Sequence, residues 1–327
     1  MVAGALVLTV VLGGCATESD DGATGLAVEA YAEPGAGMVA KVRAAAPGAA
    51  TIGIDGVTVA DDGAGLNVLP DGVGTLARAA TTGGAASELL VSNYSESIGD
   101  FSPGIGTALL SDPGNRDRVA TQLAELAAEQ HVTGVQIDLE SLRSRDRVGL
   151  VAFAAALQDA VHDELGDDAE VSMAVMASTS ADGYRDTGYD LAALADQVDR
   201  FVLMTYDQHG PWSGPGAVGA LPWAGRVVRA AEAEGVSADR IDLGIAGYGY
   251  VWGGSGDAQV SPSQARKAAG DRARWSARNG EWSAALDDGR RLHWSDARSY
   301  RARIALAEDL GLHGVALWSL GTLALPD

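Results

Sequence analysis

The stretch Gly134-Val135-Gln136-Ile137-Asp138-Leu139-Glu140 decides how this chain is read. Side chains on a strand alternate faces, so Val135, Ile137 and Leu139 share one face and Gln136, Asp138 and Glu140 the other. The apolar face suits packing under helices. The polar row is costly inside a protein unless each group finds a partner, and a sequence selected for stability alone would carry Val or Ile there. In a barrel of parallel strands that row faces the axis and climbs to the C-terminal mouth, where catalytic groups of such barrels gather. Glu140 stands one pleat repeat beyond Asp138, about 6–7 Å along the strand. Two carboxyls that close, partly desolvated, push their proton affinities apart, so one stays ionised while the other keeps its proton near neutral pH. A protonated carboxyl at a cleft mouth can donate to a leaving oxygen. The strand alone leaves two other uses open: acids that cap a neighbouring helix, or acids that bind a structural cation.

Outward from this strand, strand and helix signals alternate, which predicts an α/β fold with a parallel sheet, a (β/α)8 TIM barrel. Strands are expected over 51–59, 88–92, 132–139, 171–177, 200–206, 241–248 and 314–320. Helices are expected over 115–130, 150–165, 191–198, 223–234 and 300–310. Residues 253–299 break the alternation. They hold a short helix, 262–269, and a hairpin turning at Asp288-Gly289, so a small α+β insertion before the last helix is predicted, forming a wall of the cleft. Residues 16–48, rich in Ala, Gly and acids, read as a flexible tether, and 49–327 as the barrel domain.

The 327 residues leave room for such a barrel, which needs about 250. Acids outnumber bases 44 to 23, and a net charge of −21 repels phosphate backbones, so nucleic-acid partners are excluded. The same charge points to a monomer. The one cysteine, Cys15, precludes an intrachain disulfide and follows an apolar run and Leu12-Gly13-Gly14. This pattern resembles a bacterial lipobox. It predicts a signal peptide over 1–15, lipidation at Cys15 and a protein anchored by lipid alone at the outer face of the cytoplasmic membrane. The apolar run is too short to span a bilayer. The five histidines are scattered without metal-binding spacing, so no metal and no cofactor is expected.

Other strand ends carry matching chemistry. Met204-Thr205-Tyr206-Asp207 closes one predicted strand, and Trp318 ends the last, where an indole can floor a pyranose ring. Together these segments resemble glycoside hydrolase family 18, the chitinase-like barrels. The fourth-strand motif of that family, Asp-Gly-x-Asp-x-Asp-x-Glu, is matched by Thr133 to Glu140, with Thr133 and Gln136 in place of aspartates. Asp207 to Trp212, Leu221-Pro222-Trp223, Leu243 to Gly249 and His293-Trp294-Ser295-Asp296 are similar to the subgroup of spore-germination and cortex-lytic N-acetylglucosaminidases. The resemblance implies a polysaccharide substrate containing N-acetylglucosamine, peptidoglycan in preference to chitin. It implies Glu140 as proton donor, Asp138 orienting the substrate acetamide and Tyr206 bonding its oxygen. Gln136, Met204, Asp207, Tyr248, Trp294 and Trp318 are expected around the substrate. An inactive carbohydrate-binding barrel is the alternative; such relatives usually lack the terminal glutamate, which this chain keeps.

Overall fold

The computed structural model describes residues 25–254 and 258–326. Eight parallel strands close into a barrel in unbroken chain order. They are β1 (Ala27–Ala32), β2 (Thr51–Thr58), β3 (Ala86–Ser92), β4 (Gly134–Asp138), β5 (Glu170–Met176), β6 (Arg200–Met204), β7 (Ile241–Ala246) and β8 (Gly314–Trp318). β1 closes the ring by pairing with both β8 and β2. The fold class is therefore the (β/α)8 barrel expected.

The helix Pro113–Gln130 shows how local sequence builds the outer layer. Asp112 caps it by accepting from the amides of Gly114 at 2.7 Å and Asn115 at 3.2 Å, and Pro113 opens it where no intrahelical donor is needed. Val119, Ala120, Leu123, Ala124 and Ala127 bury one face, and His131 ends the helix with φ 60°. The outward faces of the strands meet such helices. Val135, Ile137 and Leu139 of the decisive stretch all lie in this main core.

The inward residues stack in layers. At the floor, Glu29, Glu88, Gln136, Ser172, Arg200 and Asp242 form a polar layer. Above it, Tyr31, Leu90, Val202 and Ala316 form an apolar plug. The carboxylates of the mouth stand above that plug, so solvent at the mouth is sealed from the floor.

Three boundaries differ from expectation. The span read as a tether is ordered in its second half, where β1 and the helix Met38–Ala45 lie. Alanine fills half of the strand, Ala27-Val28-Glu29-Ala30-Tyr31-Ala32, and three of the eight helix positions, so the composition looks like linker. Closure of the barrel supplies β1 with a partner on each edge, which local sequence does not reveal. The predicted signal peptide, Cys15 and the first residues of the tether lie outside the described residues. The insertion runs from the strand Gly249–Trp252 to the strand Arg291–Trp294, because Ala297 already opens the last helix. It is a five-stranded antiparallel sheet carrying the helix Pro262–Ala269. The helix expected over 191–198 is confined to Leu191–Leu194. Among the described residues, no helix is long and apolar enough to cross a membrane.

Candidate active site

The C-terminal mouth of the barrel opens into a cleft of about 410 Å³. Glu140, Met204, Tyr206 and Asp207 line it, with Asp100, Phe101, Ser141, Met176, Ala177, Trp212 and Trp223. No lysine or arginine is among them.

Sheet pairing places Asp138. It is the last residue of β4 and pairs with Ser92 of β3. Its carboxyl is buried, and Oδ1 has no hydrogen-bond partner. Burial, and then the charge of Asp55 on β2, push its pKa up to about 7. Asp55 itself is pushed up to about 6 by burial and by Glu33. Glu140 follows two residues later, beyond the ladder, and Ser141 turns the chain with φ 55°. Burial holds Glu140 well above the usual carboxylate range, and Asp138, Asp207 and Asp100 add to it in that order. The outcome is a carboxyl whose proton affinity is raised while it stays open to a cleft.

Tyr206 faces these acids from the end of β6. Gly244 on β7 makes room for its ring, since a Cβ there would sit 2.9 Å from Cε1 of Tyr206 and 2.6 Å from the Leu203 carbonyl. Asp207 takes φ 59° and accepts from the hydroxyls of Tyr248 at 2.7 Å and Tyr250 at 2.9 Å. Burial raises its pKa, and the two hydroxyls partly offset that. Tyr206, Tyr248 and Tyr250 stack edge to face in a row, and Trp212 packs against Tyr250 at 5.8 Å. Trp318 is half-buried, lies 5.1 Å from Tyr31 and packs against the same aromatic group.

Two expected substrate contacts are corrected. Gln136 is fully buried beneath the apolar plug. Its amide donates to Glu29, Glu88 and Ser172, and it accepts from the Tyr31 hydroxyl at 2.7 Å. Facing the axis is necessary for a cleft residue but not sufficient, since layers lie below the mouth. Trp294 is also fully buried, stacked on Trp282 at 6.1 Å within the insertion's own core. Tyr248 touches the site through Asp207 rather than by lining the cleft. The insertion acts as a buttress. Trp252 donates to the carbonyls of Gly210 and Ser213, and Glu281, paired with Arg303 at 2.7 Å, accepts from the amides of Val218 and Gly219. These contacts hold the loop that carries Asp207 and Trp212.

Sequence reasoning missed Asp55, Asp100, Phe101 and Met176. Asp55 carried a signal like that of Asp138, an acid on the inward face of an alternating strand, Ile52-Gly53-Ile54-Asp55. Asp100 and Phe101 sit on a short hairpin after β3, and nothing in their local sequence marks them. Among the described residues, no group of three or more His, Cys, Asp or Glu is arranged to hold a metal ion.

A closed parallel barrel with a desolvated glutamate beside a second carboxyl at its mouth defines the glycosidase class of barrels. Residues 91–322 match the family described as glycosyl hydrolases family 18, and the chain belongs to that family. The Cortical fragment-lytic enzyme of Bacillus subtilis (strain 168) is 30% identical over 235 residues, which are 68% of this chain and 54% of that one. An uncharacterized glycosylase, YvbX, of the same organism is 28% identical over 50% of this chain and 47% of its own. The chain thus spans about half the length of these relatives. Among solved structures, the chitinase from Chromobacterium violaceum is 26% identical with a TM-score of 0.79, over 91% of this chain and 95% of that one. The spore cortex-lytic enzyme SleL of Bacillus cereus shares the fold, with a TM-score of 0.78 at 21% identity over 91% of this chain and 71% of that one.

Proposed function

We propose that this chain is a retaining glycosidase that cleaves β-linked N-acetylglucosamine-containing glycans by substrate-assisted catalysis. The carrying observation is the pair Asp138 and Glu140 at the barrel mouth, Glu140 opening to the cleft with its proton held by burial. Glu140 gives that proton to the glycosidic oxygen as the bond to the anomeric carbon breaks. The carbonyl oxygen of the substrate's own acetamide closes on that carbon, forming an oxazolinium ion. Asp138, whose Oδ1 lacks a protein partner, orients the acetamide N–H and offsets the positive charge. The Tyr206 hydroxyl bonds the acetamide oxygen, and Asp207 a ring hydroxyl. Water then attacks the same carbon, Glu140 takes its proton, and the configuration is retained.

Peptidoglycan glycan strands or their fragments are the substrate in preference to chitin. The subgroup resemblance and the name of the cortical fragment-lytic relative support this. The reading of residues 1–15 as a lipoprotein signal supports a position at the outer face of the cytoplasmic membrane, where such strands lie.

A glycan bearing free amines in place of acetamides cannot form the oxazolinium. Its cleavage rate is expected to fall below detection, measured as reducing ends released. Rapid cleavage of the amine substrate excludes the mechanism. Mass spectrometry of products from peptide-free glycan strands and from chitin oligomers separates the two substrates. Exclusive turnover of chitin overturns the peptidoglycan reading.

A further inference from the structure

The residue proposed as proton donor lies where the sheet no longer holds the chain. The ladder from β3 to β4 ends at the pair Ser92 and Asp138, and that from β4 to β5 ends at Ile137 and Met173. Glu140 is past both. Its backbone is held instead by the side chain of Asn93, the first residue after β3. Asn93 Oδ1 accepts from the Glu140 amide at 2.9 Å, and Asn93 Nδ2 donates to the Glu140 carbonyl at 2.9 Å. One amide side chain thus copies the two-way pairing of a strand for one more residue.

The same side chain does a second thing. Nδ2 also donates to the Ser102 carbonyl at 2.9 Å, while the Asn93 carbonyl accepts from the Ser102 amide at 2.9 Å. Asn93 and Ser102 therefore close the neck of the loop that carries Asp100 and Phe101 into the cleft. Asn93 is fully buried, and its two amide hydrogens and its carbonyl oxygen are all engaged. A carboxylate in its place would turn both donor contacts into oxygen against oxygen. A serine could not reach both sides of Glu140.

We propose that Asn93 is the positioning residue for Glu140: it fixes the acid at the correct height in the cleft and ties that position to the Asp100 hairpin. This rests on the reading of Glu140 as proton donor. The groups facing Glu140 are Asp138 on β4, Asp207 and Tyr206 after β6, Asp100 on the hairpin and Tyr189, whose hydroxyl bonds the Leu139 carbonyl at 2.9 Å. Losing the clamp lets Glu140 move toward water and away from these acids. Its pKa then falls.

The test compares wild type, Asn93→Ala, Asn93→Asp and Glu140→Gln on N-acetylglucosamine tetramer and on peptide-free glycan strands. Displacement of a reacting group by about 1 Å costs about 10²-fold, so both Asn93 variants are expected to lose about 10- to 100-fold in kcat with KM changed by no more than about threefold. The alkaline limb of the Asn93→Ala profile is expected at lower pH than in wild type; in Asn93→Asp the added carboxylate opposes that shift, so there kcat is the readout. Wild-type kcat in folded Asn93→Asp, which keeps the side-chain shape, overturns the proposal. So does a loss in Asn93→Ala that equals its unfolded fraction by calorimetry with the limb unmoved. Full activity in Glu140→Gln instead sinks the reading of Glu140, whatever the Asn93 variants do.

Discussion

At the floor of the barrel, Glu29, Glu88 and Asp242 surround one guanidinium, Arg200, at 2.8, 2.6 and 2.5 Å. At the mouth, Asp55, Asp138, Glu140 and Asp207 crowd together, and the cleft lining holds no base. Both groups are acids on inward strand positions. The floor is also threaded by hydrogen bonds from Gln136, Ser172, Tyr31 and His313, so its charges are caged. At the mouth one carboxylate oxygen has no protein partner at all. Buried charge that is paired and hydrogen-bonded is structure; buried charge left without a partner is capacity to bind and to move protons. β4 carries one of each, Gln136 in the cage and Asp138 beneath Glu140 at the mouth, two residues apart.

The widest gap between the two groups should appear on neutralising one acid at the mouth. Glu140→Gln is expected to cost ~10²–10⁴-fold in kcat, the range for a general acid, while the denaturation midpoint stays level or rises. A variant that loses activity because it unfolds would erase the distinction. The floor should answer in the opposite sense. Arg200→Met leaves three carboxylates around a vacated cation and is expected to lower stability by about 3–5 kcal/mol in denaturant titrations. An unchanged midpoint would mean that the cage holds nothing together.

A smaller effect spans both regions. Burial first of all raises Glu29 to about 8, Asp138 to about 7 and Asp55 to about 6. Each acid is raised above its unfolded value, so the folded chain holds protons that the unfolded chain has released. Stability is then greatest below about pH 4 to 5 as far as these groups act, and falls as pH rises toward 8. Chemical denaturation at pH 5 and pH 8.5 measures the fall, and Glu29→Gln should flatten its upper part. A midpoint that rises with pH would show that Arg200 keeps all three floor acids ionised.

Much of this was legible before any coordinates. Alternation in 134–140 sent Asp138 and Glu140 to one face, because strand geometry alone decides which side chains share a side. The insertion's helix was expected over 262–269 and is found at Pro262–Ala269, since Ser261 caps it, with Gln264 reaching back in a capping box. β1 was not legible, because its alanines have no pattern of their own and need two neighbouring strands to become a strand. Trp294 was placed in the cleft by resemblance and lies instead in the core of the insertion, since an indole reads the same in either setting.

The sequence by itself determined which residues turn inward, that the elements alternate, and that acids and aromatics close the strands. Those are local properties, set by the period of a strand and the caps of a helix. Only the tertiary structure decided how high each inward residue sits above the apolar plug, and so whether its polarity is caged or exposed to a cleft. It also brought Asp55 of β2 to Asp138, and Asn93 after β3 and Asp100 of the hairpin to Glu140. Height and neighbourhood depend on strand stagger around a closed ring, which no single segment of the chain encodes.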